Sequence, residues 1–563
     1  MMNKLKMKLG SFCILFVFCG KISAQWVSNP AINTTVAIVA KSQNNIHTIS
    51  DANGGAIISW DDNRNSSTSS TDIFAQRLNA SGIAKWTMNG ISICNDAATQ
   101  QASAIADVGM GNAIITWEDH RLGNYDIYAQ KIDSSGNIQW AANGLAICSK
   151  ALHQKNPKIV GDNAGGAIIV WEDSLNNFWD IYAQRVSSTG AILWAVSGVS
   201  ICAASNTQLN PKIESDGLGG AIITWQDKRN NIDYDVYAQR IDNNGNVQWT
   251  TDGVIICNAI NTQSNPRIEP DGANGAIIGW TDKRNAVDNN IYGQRINSSG
   301  VVQWTSNGLL VCGAANHQSA LDIKYTGSNG TIFTWKDART ATTSVYAQLV
   351  SLSGTVQLAT DGIMISNGLR SNNPNAVSDK QNGSILVWQD SSATGWDIKT
   401  QRLDPTGNVL WASGGVTVSN AGNDQINATQ ISDNNGGAIY FWEDYRNAAD
   451  YNIYAHHLYS SGNPDIGLDE LRNENSTNVL CFPNPINNSS VIKLIGNSKG
   501  KDWQLQIFDA QGRSILTRTL ATNEVFSLED ANITSGIYFY LVKVDGTSLP
   551  LKGRFISTQT EHD

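Results

Sequence analysis

A tryptophan that returns eight times at nearly even spacing constrains this chain more than any other feature. Runs resembling Gly-Gly-Ala-Ile-Ile-x-Trp end at Trp60, Trp117, Trp171, Trp225, Trp280, Trp335, Trp388 and Trp442, at intervals of 53 to 57 residues. A fixed period of this length, with no helical periodicity inside it, calls for propeller blades or a solenoid. One unit shows which. Residues 156–160, 166–171 and 180–186 read as three strands, and the turn at 187–190 reverses the chain into a fourth at 192–194. Four antiparallel strands joined by tight hairpins make a propeller blade, whereas a parallel solenoid needs shorter coils without such hairpins.

The ends of the chain supply the blade count. A third-strand motif starts at Asp72, Asp126, Asp180, Asp235, Asn290, Ser344, Asp397 and Asn452. A fourth-strand residue follows seven of them: Trp86, Trp140, Trp194, Trp249, Trp304, Leu358 and Trp411. The eighth copy is missing there and reappears at the other end, where Gln25-Trp26 matches Gln139-Trp140. The sequence therefore predicts an all-β, eight-bladed β-propeller of four-stranded blades. Blade one covers about 45–92, and blade eight joins 426–459 to an N-terminal strand at 25–30 that closes the ring and satisfies its open edge. Fifteen of the 18 tryptophans occupy these two repeat positions, so packing between blades is their expected job.

Two more repeat positions invite a chemical reading and favour a structural one. Cys94, Cys148, Cys202, Cys257 and Cys312 lie one blade apart, with Ser366 and Ser419 replacing them later, so a small buried residue is expected there and no disulfide. Every second strand ends in Trp-x-Asp, at Asp62, Asp119, Asp173, Asp227, Asp282, Asp337, Asp390 and Asp444. Arginine follows two residues later in six blades, at Arg64, Arg121, Arg229, Arg284, Arg339 and Arg446. A motif present in every blade reads as turn architecture. No cofactor is expected, and calcium held by the aspartates stays open as the alternative.

Residues that break the repeat are the candidates for function. Trp179 and Trp396 precede the third-strand aspartate in the two blades that lack the arginine, where Tyr125, Tyr234 and Tyr451 stand elsewhere. Either the indoles fill the space vacated by the guanidinium, or they form aromatic platforms for a sugar or a peptide. Trp179 and Trp396 are four blades apart, so one small ligand would not touch both.

Composition narrows the partners. A net charge of −10 with no Lys/Arg-rich run speaks against nucleic acid. Residues 1–24 read as a cleavable signal peptide, with Lys4, Lys6 and Lys8 before an apolar stretch and Ala24 at the cut. A lipid anchor at Cys19 is the competing reading, disfavoured by bulky Phe18. No later segment is apolar for long enough to span a bilayer as a helix.

Beyond the propeller, 25–460, a polar linker at 461–478 leads into a region, 479–563, that reads as a small β-sandwich. Its motifs are Cys481-Phe482-Pro483-Asn484-Pro485, the run 507–513 ending in Gly512-Arg513, the run 535–544 with Gly536 and Tyr538, and a closing 552–556. In this order they resemble the type A C-terminal sorting domain of the type IX secretion system of Bacteroidetes-like bacteria. Cysteine stands where an aromatic is usual before Phe482. The resemblance implies handling by the type IX machinery, translocation across the outer membrane, and a cell-surface or extracellular destination.

Two resemblances to enzymes lie in the hairpins. Hairpins 133–140 and 404–411 are similar to the tryptophan hairpins of eight-bladed quinoprotein dehydrogenases, without their adjacent cysteine pair. The same turns resemble the sialidase Asp-box with one extra residue between Gly and Trp. With no catalytic constellation in view, the sequence is read as a monomeric surface protein that binds glycan or protein and is not an enzyme. A polysaccharide-active or quinoprotein-like redox enzyme is the alternative.

Overall fold

The structure, a computed structural model, describes residues 26–65, 71–175 and 178–464, and in the C-terminal region 478–482, 491–495, 503–511, 513–521, 525–527, 536–544 and 551–557. Residues 1–24, expected to be a signal peptide, and the motif residues Pro483, Asn484, Pro485 and Gly512 lie outside the described residues.

Eight separate four-stranded antiparallel sheets follow one another along the chain, and no helix occurs among the described residues. In blade one the order is Gln43–Ser50, Ala56–Asp62, Asp72–Leu78 and Ile91–Cys94. The second strand is buried on both faces, which is why it reads as an unbroken apolar run rather than an alternating one. Alternate side chains go to opposite neighbours, so the buried apolar residues fall into eight clusters, one at each contact between adjacent blades.

The eighth blade, Gln425–Ser432, Ala438–Asp444 and Asn452–Leu458, takes its outer strand from the N-terminus. That strand is Thr34–Ala37, antiparallel to Asn452–Leu458 with Ala37 opposite Ile453. Ring closure by the N-terminus is thus as expected, but the closing strand is 34–37 and not 25–30. The same correction applies in every blade. Ile192 makes one isolated bridge to Val186, and the outer strand proper is Val199–Cys202. The reason is a side chain. The amide of Gln184 accepts a hydrogen bond from Trp194 N at 3.0 Å and donates to Ala195 O at 2.8 Å, taking the place of ladder bonds where the chain bulges.

The tryptophan of this hairpin packs on a glycine of the next blade's turn. Added Cβ atoms at Gly82, Gly136, Gly190, Gly245, Gly300, Gly354 and Gly462 would meet Trp26, Trp86, Trp140, Trp194, Trp249, Trp304 and Trp411, and one at Gly407 would meet Leu358. The eight contacts run once around the ring. The repeat cysteines sit on the outer strands as buried thiols, and burial pushes Cys148 up to about 11 and Cys94 up to about 12.

The C-terminal region forms two small antiparallel sheets of three and four strands. On Trp503–Phe508 the residues Trp503, Leu505 and Ile507 are buried in alternation, and Tyr538, Tyr540 and Val542 are buried on Gly536–Val544.

Candidate functional site

The Asp/Arg motif is architecture. In the fifth blade Arg284 donates Nε to Asp282 Oδ1 at 2.9 Å and Nη2 to Oδ2 at 2.6 Å. It also reaches Asn307 O at 2.7 Å and Cys257 Sγ of the preceding blade at 3.3 Å, and lies 3.7 Å over the Tyr292 ring. Trp280 Nε1 donates to the same carboxylate at 2.8 Å. In the two blades without the arginine a lysine takes the guanidinium's place. Lys150 Nζ is 3.3 Å from Asp173 and 3.9 Å over Tyr182, and Lys399 Nζ is 2.6 Å from Asp390. A lysine ammonium thus faces the carboxylate in each of the two blades where Trp179 and Trp396 stand.

Tyr125, Tyr234 and Tyr451 lie just before the third strand, whereas Trp179 and Trp396 are taken into it, opposite Ser174 and Ser391; all five are at one end of the ring and half-buried. Among the described residues no ring contact joins any two of them. Tyr125 lies 4.9 Å from His120 and 5.8 Å from His153, with Lys155 Nζ 4.4 Å over its ring. Arg370 lies 5.8 Å from the ring of Trp396. Gly536 and Tyr538 share a strand of the C-terminal region.

A different group gathers along the axis, on the innermost strands. The third residue of each of these strands is a bulge residue in the left-handed region, Asn in six blades (Asn45 φ 54°, Asn210 φ 54°) and Ala at 102 and 320. Asn tolerates this conformation better than other residues with a Cβ. The bulge N–H bonds to the preceding blade, Asn156 N to Glu118 Oε1 and Asn210 N to Glu172 Oε1, both at 2.7 Å. Carboxylates at that level are thus committed to holding blades together. Past the bulge, alternate residues such as Ile213, Ile268 and Ile323 are buried between blades, so the residues between them face the channel.

Those channel positions break the repeat. At the first level stand His47, Ala104, Lys158, Lys212, Arg267, Asp322, Asn375 and Thr429, and two residues further on blades four to six contribute Glu214, Glu269 and Lys324 where Ile49, Ala106, Val160, Val377 and Ile431 stand elsewhere. Glu269 Oε1 accepts from Lys324 Nζ at 2.8 Å, and its Oε2 accepts from Tyr325 N at 3.2 Å. Asp322 accepts from Ala376 N at 2.9 Å and Asn375 Nδ2 at 3.1 Å, with Arg267 Nε 3.7 Å away.

Glu214, Glu269 and Lys324 line a cavity of about 420 Å³ at the end of the ring opposite the loop aromatics, together with Tyr325, Lys380 and Asn382. Burial, then repulsion from Glu269, pushes the Glu214 carboxyl up to about 8, against the pull of Lys324. Burial also raises Glu269, opposed by Lys324, whose own ammonium is held charged by Glu269 and Glu214 in spite of burial. The site thus sets Glu214, whose protonated form burial favours, beside Glu269, which bonds the Lys324 ammonium. Sequence reasoning passed over these residues because it followed the second and third strands. Charged residues interrupting the apolar pattern of the first strand were the available signal.

Residues 480–552 match the secretion system C-terminal sorting domain family. This domain marks export through type IX secretion to the cell surface or extracellular space, so the protein is a secreted β-propeller. No curated relative matches the chain. Among solved structures, the chain is similar to an α-L-arabinofuranosidase of Fusarium graminearum in complex with an iminosugar inhibitor, at 9% identity over 65% of this chain and 94% of that one, TM-score 0.35. It is also similar to an α-L-arabinanase of Penicillium chrysogenum complexed with arabinobiose, at 9% identity, 65% and 94% coverage and TM-score 0.32. A third is the polysaccharide lyase Uly1, at 8% identity, 78% and 92% coverage and TM-score 0.39. Likeness at this level assigns no activity to the chain. Because these similar structures are enzymes, the expectation that the protein is not an enzyme is withdrawn.

Proposed function

We propose that the protein is a secreted polysaccharide-active propeller that cleaves glycosidic bonds at the channel mouth, with Glu214 as proton donor and Glu269 as its ionised partner. Glycoside cleavage asks for two carboxyl groups flanking one bond, one neutral to protonate the leaving oxygen and one charged to activate water or attack carbon. The observation carrying this reading is that Glu214 and Glu269 line one cavity while Lys324 bonds only Glu269, which separates their protonation states. Tyr325, Lys380 and Asn382 supply polar groups suited to sugar hydroxyls.

Its test is release of reducing ends from a panel of polysaccharides by the purified protein. Glu214→Gln should lower the rate by about 10²- to 10⁴-fold with unchanged melting, and Glu269→Gln by a similar factor. Polysaccharide bound but never cut by the wild type would overturn it. A second, non-exclusive role for the opposite end is glycan or protein binding by Trp179, Trp396 and the three tyrosines, favoured by the cation–ring contacts at Tyr125 and Trp396.

A further inference from the structure

Lys212 faces the channel from the innermost strand of blade four, Gln208–Ser215. Among the described residues its ammonium has no hydrogen-bonded or ion-paired partner, whereas Lys158 Nζ donates to Asn156 Oδ1 at 2.7 Å and Lys324 bonds Glu269. Its neighbours around the ring at the same level are cations, Lys158 on blade three and Arg267 on blade five. Arg267 is held only loosely, 3.7 Å from Asp322. The carboxylates facing this level are already occupied, Glu118 and Glu172 by bulge N–H groups and Asp322 by the next blade. Across the axis His47 is kept neutral, pushed down to about 4 by burial and then by Lys158 and Lys212.

Three adjacent cations facing a channel in a chain of net charge −10 form a local reversal of potential. Burial, then Arg267 and Lys158, pushes Lys212 down to about 7, so its charge is held at a cost that an anion would offset. Lys212 precedes Glu214 by two residues on one strand, about 6.8 Å along it, on the same face. Lys212 thus stands one step along the channel from the cavity that Glu214 lines.

We propose that Lys212, flanked by Lys158 and Arg267, binds the acid group of a sugar whose chain occupies the Glu214–Glu269 cavity, so that the ligand is an acidic polysaccharide. The inference rests on the cavity being the glycan site and adds the class of glycan. Neutral chains leave Lys212 unpaired, while an acidic residue supplies the missing counter-charge. A carboxylate and a sulfate ester are the two sources of such charge.

The test is calorimetric titration of the full secreted chain with size-matched oligogalacturonate, chondroitin sulfate and neutral arabino-oligosaccharides. An acidic oligosaccharide should bind at least tenfold more tightly than the neutral one, and more weakly as salt rises. Lys212→Met and Arg267→Gln should remove that preference, while Lys85→Met, on an exposed outer turn, leaves it intact. Oligogalacturonate binding assigns the carboxylate; binding of chondroitin sulfate alone assigns the sulfate. Lys212→Arg should retain the preference, which separates lost charge from lost folding. Equal binding of neutral and acidic chains, or an acidic preference that survives Lys212→Met, overturns the proposal. Glu214-dependent cleavage of a neutral chain would leave the glycosidase reading standing without this inference. Lys212-dependent binding with no cleavage would do the reverse.

Discussion

The indole of Trp26 donates its N–H to the main-chain carbonyl of Ala80 at 2.9 Å, joining the last blade to the first. Its ring lies where a Cβ on Gly82 would be, 2.8 Å from the nearest indole atom, and Gly82 itself has φ +75°. The same tryptophan is part of the apolar cluster that holds Val36, Ala37, Ile439 and Phe441 against Ile58, Trp60 and Phe74.

Trp26→Ala should therefore open the seam. Truncating a buried tryptophan costs about 3–5 kcal/mol, and here the loss falls where the N-terminal segment is held to the last blade only by the pairing of Thr34–Ala37 with Asn452–Leu458 and by side-chain contacts. Urea unfolding followed by tryptophan fluorescence measures it. A change below about 1 kcal/mol would mean that Thr34–Ala37 closes the ring without help.

Activity should fall on the alkaline side as Glu214 loses its proton. The group is raised to about 8, so the acid form prevails below that pH and disappears above it. The rate-versus-pH profile on a cleaved polysaccharide should show a descending limb near 8, absent in Glu214→Gln. A flat profile from 6 to 10 would remove Glu214 as the acid.

Lys150 does for blade three what arginine does for six other blades. Asp173 is fully buried and has Lys150 3.3 Å away, so Lys150→Met strands a buried carboxylate. Breaking a buried pair from one side costs about 3–5 kcal/mol, and since this lysine is partly exposed the expected loss is nearer ~2 kcal/mol. The additional change Asp173→Asn should recover most of it. Thermal melts of the single and double variants check this, and a single variant as stable as wild type would refute the role given to Lys150.

Deleting residues 480–552 should stop export at the outer membrane. Fractionation of cells making the truncated chain should recover the propeller in the periplasm, against wild-type protein at the surface or in the medium. Normal delivery would separate export from the sorting domain.

How far the sequence could be read depended on repetition. Trp60 and its seven equivalents declared the blades, because a residue buried between two identical neighbours is needed in every copy. Trp194 reads as part of a strand because an apolar-aromatic run looks the same in a ladder and in a bulged return; only the Gln184 side chain, ten residues earlier, separates the two. Lys150 and Lys399 were invisible as substitutes for arginine since they come from other elements than the residue they replace.

The sequence by itself determined the all-β class, the eight blades, the closure of the ring by the N-terminal segment, and the sorting region, since each rests on local periodicity or on contiguous motifs. Tertiary structure alone decided where Glu214, Glu269, Lys324 and Lys212 meet. They lie on three different blades, Glu269 and Lys324 being 55 residues apart, and nothing local brings them together. Closing eight sheets around one axis places the innermost strands side by side, so that single departures from the repeat, scattered along the chain, become neighbours in the channel.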